Sequence, residues 1–99
     1  MEAFPDAKFR HGPIRMTKSI SEMVDNDDNF RKFIVKAISK YLVCNWGDTN
    51  STDWYINDKA VRDNQRILAV YIYKPLKKNV WIVTEYDRSS TTVMFPEEY

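Results

Sequence analysis

The sequence predicts an α+β fold, namely an antiparallel C-terminal β-meander of three strands, or four, with two or three helices packed on one face. Three runs rich in β-branched and aromatic residues suit a pleated, half-buried surface. They are residues 66–73, 80–86 and 91–95. The turn sequences 74–79 and 87–90 between them are too short for any connection but a hairpin. An apolar stripe from Phe30 to Leu42 predicts a helix that buries one side against this sheet.

Length and composition predict one domain over residues 1–99. With 43% hydrophobic and 29% charged residues, the chain can bury a core of its own. We expect an irregular arm over residues 1–13, a helical segment over 19–63 and the meander over 66–99. The formal net charge of +1 gives no overall attraction to nucleic acid or to an anionic membrane.

Cysteine content and hydropathy predict the compartment. The single Cys44 cannot form an intrachain disulfide, which is typical of a reducing environment. No apolar run has the length of a bilayer, and the N-terminus lacks the basic-then-apolar order of a signal peptide. We therefore expect a cytoplasmic protein that makes no membrane contact.

The N-terminal part predicts a short strand followed by a short helix. Residues 14–17 alternate apolar and polar side chains, which predicts an edge strand of the sheet. Ser19 and Glu22 have the capping-box spacing, so we expect a helix to begin at Ser19. The apolar face of this helix contains Ile20, Met23 and Val24.

The longest helix is predicted from its periodicity. Apolar residues recur at the spacing of one helix face, and Asp27 or Asp28 can cap the N-terminus. Gly47 is expected to end the helix in a left-handed conformation. The stripe comprises Phe30, Phe33, Ile34, Ala37, Ile38, Tyr41 and Leu42. The opposite face contains Arg31, Lys32, Lys36 and Lys40.

A third helix is predicted to reach about Arg62, with Ser51 or Thr52 as its cap. Its buried side is expected to contain Trp54, Ala60 and Val61, together with Ile56 or Tyr55.

Neither face of the predicted sheet is polar. In the first strand Leu68, Val70 and Ile72 alternate with four other apolar or aromatic residues. A sheet with helices on one face normally has a polar far side. The second face is therefore expected either to be covered by the N-terminal segment or to bind a partner.

Catalytic motifs are scarce in this sequence. His11 and Cys44 are far apart, and without a second Cys or His no zinc site is expected. The only two glycines, at positions 12 and 47, form no phosphate-binding loop. We expect no cofactor and no metal. The remaining enzymatic hypothesis is a magnesium-dependent nuclease in which Asp48, Glu85 and Asp87 converge.

The basic helix face allows a second hypothesis. Arg31, Lys32, Lys36 and Lys40, together with the lysines of the 74–79 turn, can contact phosphates. The alternative is a solvated helix face that maintains solubility.

Several motifs, taken in order, resemble those of a widespread family of small, uncharacterised proteins carried on plasmids and phages. They are Asn45-Trp46-Gly47-Asp48, Asn57-Asp58-Lys59-Ala60, Thr84-Glu85, Asp87-Arg88-Ser89 and Pro96-Glu97-Glu98-Tyr99. The match covers the last half of the chain and the helix before it. The resemblance implies a mobile-element setting and a compact α+β fold, and it implies no reaction.

These motif residues either serve as turn and capping groups or form a shallow polar binding surface. We expect Glu85, Asp87 and Arg88 to pair with one another or with Arg66, and Arg88 to be able to brace the C-terminus. The candidate partner-binding residues are Trp46, Asp48, Asn57, Arg66, Glu85, Asp87 and Arg88.

Two functions of different classes follow. The first hypothesis is a non-enzymatic mobile-element protein that inhibits a host nucleic-acid-targeting defence component, as an anti-CRISPR or anti-restriction protein does. Its partner is then a host defence protein or a nucleoprotein complex. The alternative is an accessory nucleic-acid-binding protein that uses the basic helix face, and self-association is compatible with both.

Overall fold

The computed structural model describes residues 4–99, so residues 1–3 of the predicted arm lie outside the described residues. Within that range the chain forms three helices and a four-stranded sheet, which confirms the α+β prediction. The elements in chain order are β1 (Ile14–Met16), α1 (Lys18–Asn26), α2 (Asp28–Leu42), α3 (Ser51–Asp63), β2 (Ile67–Tyr73), β3 (Lys78–Thr84) and β4 (Thr91–Met94). Short 3-10 turns lie at Lys74–Leu76 and Pro96–Glu98.

The sheet is mixed, so the prediction of a purely antiparallel sheet was wrong. Its strand order is β1-β4-β3-β2, and β1 runs parallel to β4 while the other pairs are antiparallel. Alternation over residues 14–17 correctly predicts a strand there, but the direction depends on which edge that strand joins. β1 joins the free edge of β4. The Thr91 N–H donates to the Pro13 carbonyl at 2.9 Å, and the Thr17 N–H donates to the Val93 carbonyl at 3.1 Å.

Helix α1 begins one residue earlier than expected and is capped by Thr17, not by Ser19. The Thr17 hydroxyl oxygen accepts a hydrogen bond from the Ile20 N–H at 3.4 Å. Thr17 follows β1 and keeps an extended backbone, with ψ at 163°, which is the conformation that a capping residue requires. Ser19 is therefore already inside the helix.

Helix α2 confirms its predicted stripe and cap. Asp27 Oδ1 accepts hydrogen bonds from the N–H groups of Asn29 and Phe30 at 3.0 and 3.1 Å. Of the seven stripe residues, only Phe33 is half-buried and the other six are buried. The stripe lies against the sheet and so forms the centre of the core.

Gly47 does not end α2, contrary to the prediction, because Cys44 adopts the left-handed conformation at φ 64°. The Cys44 N–H donates to the Tyr41 carbonyl at 3.0 Å and the Asn45 N–H to the Lys40 carbonyl at 2.9 Å, which is the Schellman arrangement. Gly47 has φ 64° for a different reason. The chain passes so close to β2 there that a Cβ atom would collide with the Tyr71 ring.

Helix α3 lies beside the outer edge of β2 and is capped by Asn50, one residue before the predicted caps. Asn50 Oδ1 accepts a hydrogen bond from the Asp53 N–H at 2.8 Å. The helix buries Asn57 and Ala60, whereas Tyr55 and Ile56 are 66% and 51% exposed. The prediction that Tyr55 or Ile56 joins the buried side was therefore wrong.

Residues 4–13 of the N-terminal arm contact the end of α2, on the helix side of the sheet. The Lys8 N–H donates to the Leu42 carbonyl at 2.9 Å, and Phe9 packs edge-on against Tyr41 at a centroid distance of 5.6 Å. Phe9 also contacts the Trp46 ring at 6.0 Å. Phe9 thus packs against the inner core, on the helix side of the sheet.

Candidate functional site

The outer edge of β2 is closed by side chains of the preceding segment. An edge strand presents unpaired N–H and C=O groups that can pair with another chain. The buried Asn57 amide satisfies both groups of Leu68, donating to its carbonyl at 2.9 Å and accepting from its N–H at 3.2 Å. The side chain of Asn57, a predicted site residue, therefore binds the backbone of β2.

The loop before α3 closes the rest of this edge. The Val70 N–H donates to Thr49 Oγ1 at 2.9 Å, and the Val70 carbonyl accepts from the Asp48 N–H at 2.8 Å. The Asp48 carboxylate accepts from the Ile72 N–H at 2.8 Å. The sequence allowed Asp48 to be a turn or capping group or to bind a partner, and the structure places its carboxylate on the backbone of β2.

Trp46 lies inside the core, where it connects helices and arm. It has no exposed surface, and its ring contacts Tyr41 at 5.2 Å. The indole N–H donates to Asp58 Oδ1 at 2.9 Å, which satisfies the polar end of the buried ring. Trp46 is therefore positioned below the surface.

Arg88 is a buried cap for the C-terminal end of α3. Its guanidinium donates to the carbonyls of Ala60, Gln65 and Glu85 at 3.0, 2.8 and 3.1 Å, and the residue is 7% exposed. A cation at this position also complements the negative end of the helix dipole. The expected bracing of the C-terminus by Arg88 was wrong, because its donors are directed at these three carbonyls.

The three carboxylates of the nuclease hypothesis do not converge. Asp48 binds the backbone of Ile72, whereas Glu85 follows Thr84, which pairs with Ile67 at the other end of β2. Five strand residues span about 17 Å. Across residues 4–99, no cluster of three or more acidic, His or Cys side chains has the geometry to hold a metal ion.

Glu85 and Asp87 are both exposed at the turn between β3 and β4. Asp87 Oδ1 accepts from the Ser89 N–H at 3.0 Å. Hydrogen bonds from the Ser89 side chain and backbone lower the pKa of Asp87. Asp87 therefore serves the turn itself.

Cys44 does not have the properties of an activated nucleophile. Partial burial, reinforced by the nearby Asp58 charge, raises the pKa of its thiol, and Lys8 opposes this only in part. The thiol is accordingly protonated at neutral pH.

The C-terminal Tyr99 packs on the sheet face that is turned away from α2. Its ring lies 5.8 Å from the Trp81 ring, and the Arg66 guanidinium lies over it at 5.2 Å and donates to its hydroxyl. Val83 lies along the strands between Trp81 and the level of Arg66, and it is 1% exposed. Tyr99 therefore covers the middle of this face, and Arg66 is one of the residues that hold the C-terminus.

Around Tyr99 lies a surface that we call the outer patch. It is formed by apolar and aromatic side chains of α3, β2, β3 and the C-terminus. Ile56, Ile72 and Tyr99 are 51%, 38% and 56% exposed, and the other three members are half-buried. The outer patch consists of Ile56, Leu68, Val70, Ile72, Trp81 and Tyr99.

The predicted basic face divides in two. Lys36 and Lys40 line a cleft between α2 and β2, where Lys74 joins them. Arg31 lies 3.9 Å from Asp28, and Lys32 is exposed outside the cleft. Of the four basic residues, the structure thus brings two together with a third lysine that the helix periodicity does not indicate.

The sequence analysis did not identify the roles of Thr49 and Asn50 or the position of Tyr99. Thr49 and Asn50 carry signals in retrospect, since polar residues just before a helix favour capping and backbone recognition. Alternation did indicate Leu68, Val70 and Ile72 as one face. The return of Tyr99 onto Trp81 has no local signal.

Comparison with known proteins found no match to this chain among family models, curated proteins or solved structures. Among the helices of residues 4–99, none combines the length and the apolar character that crossing a bilayer requires.

Proposed function

We propose that this chain is a non-enzymatic binding protein that docks on a host protein through the outer patch. The observation that carries the proposal is the exposure of Ile56, Ile72 and Tyr99 beside the half-buried Leu68, Val70 and Trp81. Contiguous exposed apolar surface on a folded domain marks an interaction site, because leaving it in water costs free energy that docking recovers.

The composition of the outer patch supports a protein partner. Trp, Tyr and Arg are the residue types that contribute most to protein interfaces. Here Trp81 of the outer patch and the neighbouring Arg66 both contact Tyr99, so the Tyr99 side chain is held in place before a partner arrives. Pre-organisation reduces the entropy that docking costs.

The side chains that close the edge of β2 also restrict how a partner can bind. Because Asn57, Thr49 and Asp48 occupy the edge of β2, a partner cannot add a strand there. Docking therefore takes place through side chains on the face of the sheet. Binding rather than catalysis is further supported by the separation of Asp48 from Glu85 and by the protonated thiol of Cys44.

The identity of the partner rests on the motif resemblance. A phage or plasmid protein of this size that binds a host protein is well suited to inhibit a defence system that targets nucleic acid. The partner is then a restriction or CRISPR effector protein, alone or in its nucleoprotein complex, and the chain acts in the cytoplasm.

A phage-plating assay tests this function. Bacteria carrying a restriction or CRISPR system are challenged with a susceptible phage while expressing the wild type, Ile56→Glu or Tyr55→Glu. Tyr55 is the neighbouring exposed residue on the solvent side of α3, so it controls for the added charge. We expect the wild type and Tyr55→Glu to restore plating and Ile56→Glu to lose the effect, since an unpaired carboxylate in an interface is costly.

Two results would contradict the proposal. One is that the wild type restores plating against none of the restriction and CRISPR systems tested. The other is that Ile56→Glu, shown by circular dichroism to be folded, protects phage as well as the wild type.

A further inference from the structure

A cleft of about 190 Å³ lies between α2 and the strand β2, on the helix side of the sheet. Lys36 and Lys40 line it from the helix, and Lys74 lines it from the turn after β2. Phe33, which is half-buried, forms part of the same wall. Ile72 lines the cleft as well and is the residue that the cleft shares with the outer patch.

The charges of the cleft favour an anionic ligand. Within residues 4–99, none of the three lysines forms an ion pair with a carboxylate. Asp48, the acid that lines the cleft, accepts the Ile72 N–H. Three lysines and one aspartate give the walls a net charge of +2. Like charges brought together without counter-charges repel one another, and an anion relieves that repulsion.

The spacing of these side chains fits a strand of phosphates. Lys36 and Lys40 are one helical turn apart, about 6 Å along the axis. Phe33 precedes Lys36 by almost one turn and lies on the same side of the helix. A row of cations beside an aromatic ring is the arrangement with which proteins bind unpaired nucleotides, since the ring contacts a base and the cations contact the backbone.

We infer that this cleft binds single-stranded nucleic acid, with Lys36, Lys40 and Lys74 on successive phosphates and Phe33 against a base. A duplex keeps its bases paired and stacked, so it offers no free base face to Phe33. The inference does not rest on the proposed function, because the three lysines and Phe33 are not part of the outer patch.

Fluorescence anisotropy of a labelled, mixed-sequence DNA strand of about twelve nucleotides tests the inference. Three phosphate contacts predict that the logarithm of the binding constant falls with the logarithm of salt concentration with a slope of about −2. We expect the triple variant Lys36→Gln, Lys40→Gln, Lys74→Gln to bind about tenfold or more weakly and to lose most of this slope. The triple variant Lys18→Gln, Lys59→Gln, Arg62→Gln removes the same charge elsewhere and should bind like the wild type.

Competition identifies the ligand that the cleft prefers. Unlabelled strand should displace the probe, whereas duplex of equal length or inorganic phosphate should displace it poorly. The inference is overturned if the strand does not bind at low salt, if both triple variants weaken it equally, or if duplex or inorganic phosphate competes as well as the strand. Ile56→Glu should bind the DNA strand like the wild type. A failure of the nucleic-acid inference is therefore distinguishable from a failure of the docking proposal.

Discussion

The Asp48 carboxylate accepts a hydrogen bond from the Ile72 N–H at 2.8 Å, joining the loop before α3 to the open edge of β2. One residue thereby satisfies two backbone groups, because its own N–H donates to the Val70 carbonyl at 2.8 Å. The edge of the sheet is closed by loop atoms instead of by another strand.

Removing this carboxylate should destabilise the fold. We expect Asp48→Ala to lower the free energy of unfolding by about 1–2 kcal/mol, since the Ile72 N–H loses its charged acceptor. Asp48→Asn retains an acceptor oxygen and should lose less. Urea unfolding measures both, with Asp25→Ala as the control for losing one exposed carboxylate. A stability of Asp48→Ala equal to that of the control would show that the edge contact contributes nothing.

Arg88 should be among the most sensitive positions in the chain. Arg88→Met leaves the carbonyls of Ala60, Gln65 and Glu85 without this donor, and we expect a loss of about 2–4 kcal/mol. Arg88→Lys keeps the charge at the end of α3 but cannot reach three acceptors, so it should be intermediate. Guanidinium unfolding measures the series, and Arg62→Met, at the exposed last turn of α3, is the control. Equal stabilities of Arg88→Met and Arg62→Met would rule out the capping role.

A chain of buried hydroxyls ties α2, the sheet and the arm together. The Thr91 hydroxyl donates to the His11 carbonyl at 2.7 Å, so its oxygen is free to accept a hydrogen bond from the Thr84 hydroxyl, also at 2.7 Å. The Thr84 oxygen in turn accepts from the Tyr41 hydroxyl at 2.7 Å. Burial raises the pKa of Tyr41 and outweighs the opposing effect of its hydrogen bond to Thr84, so the phenol remains a donor.

This order of donors predicts coupling between two mutations. Thr84→Val should cost about 1–3 kcal/mol because it removes the acceptor of the buried Tyr41 hydroxyl. The double variant Tyr41→Phe, Thr84→Val should cost less than the sum of the single variants, which a double-mutant cycle in urea measures. The half-exposed Thr92→Val is the control for the side-chain change. Strict additivity would show that the hydroxyls act separately.

Glu98 should contribute to the acid sensitivity of the fold. Burial acts to raise the pKa of Glu98, but hydrogen bonds from the Phe95 N–H and from the hydroxyls of Thr17 and Ser19 outweigh it and lower the pKa below 4.5. The unfolded chain therefore binds more protons in this range, so the stabilisation is present above pH 4.5 and is lost as the pH falls through the lower, folded value.

Melting temperatures of the wild type and Glu98→Gln test this sign. The wild type should melt at a higher temperature near neutral pH, and the difference should shrink toward about pH 3. Glu97→Gln, which removes the neighbouring exposed carboxylate, should show a smaller difference. A difference in melting temperature between the wild type and Glu98→Gln that stays constant over this pH range would contradict the lowered pKa of Glu98.

The elements with long periodic patterns could be predicted from the sequence. Helix α2 and strands β2 to β4 follow local rules, because burial of one face imposes a period on the side chains. Cap positions were shifted by one or two residues at α1 and α3, since Thr17 and Asn50 become caps only through the extended backbone that precedes each helix. The direction of β1 depends on a pairing with β4 that is distant in sequence.

The candidate sites were less predictable than the fold. The motif residues Asp48, Asn57 and Arg88 bind backbone groups that only the tertiary structure brings near them. Polar residues in turns give the same sequence signal whether they bind backbone or a partner. The outer patch combines α3, the sheet and Tyr99, so no single segment of sequence displays it.

Affinity capture from bacterial lysate tests the docking role of the outer patch most directly. Tagged wild type, Ile56→Glu and Tyr55→Glu are compared side by side, with quantitative mass spectrometry of the captured proteins. We predict that one host defence protein is retained equally by the wild type and Tyr55→Glu and at least about tenfold less by Ile56→Glu. Equal retention by all three proteins, or no host protein enriched over the tag alone, would contradict it.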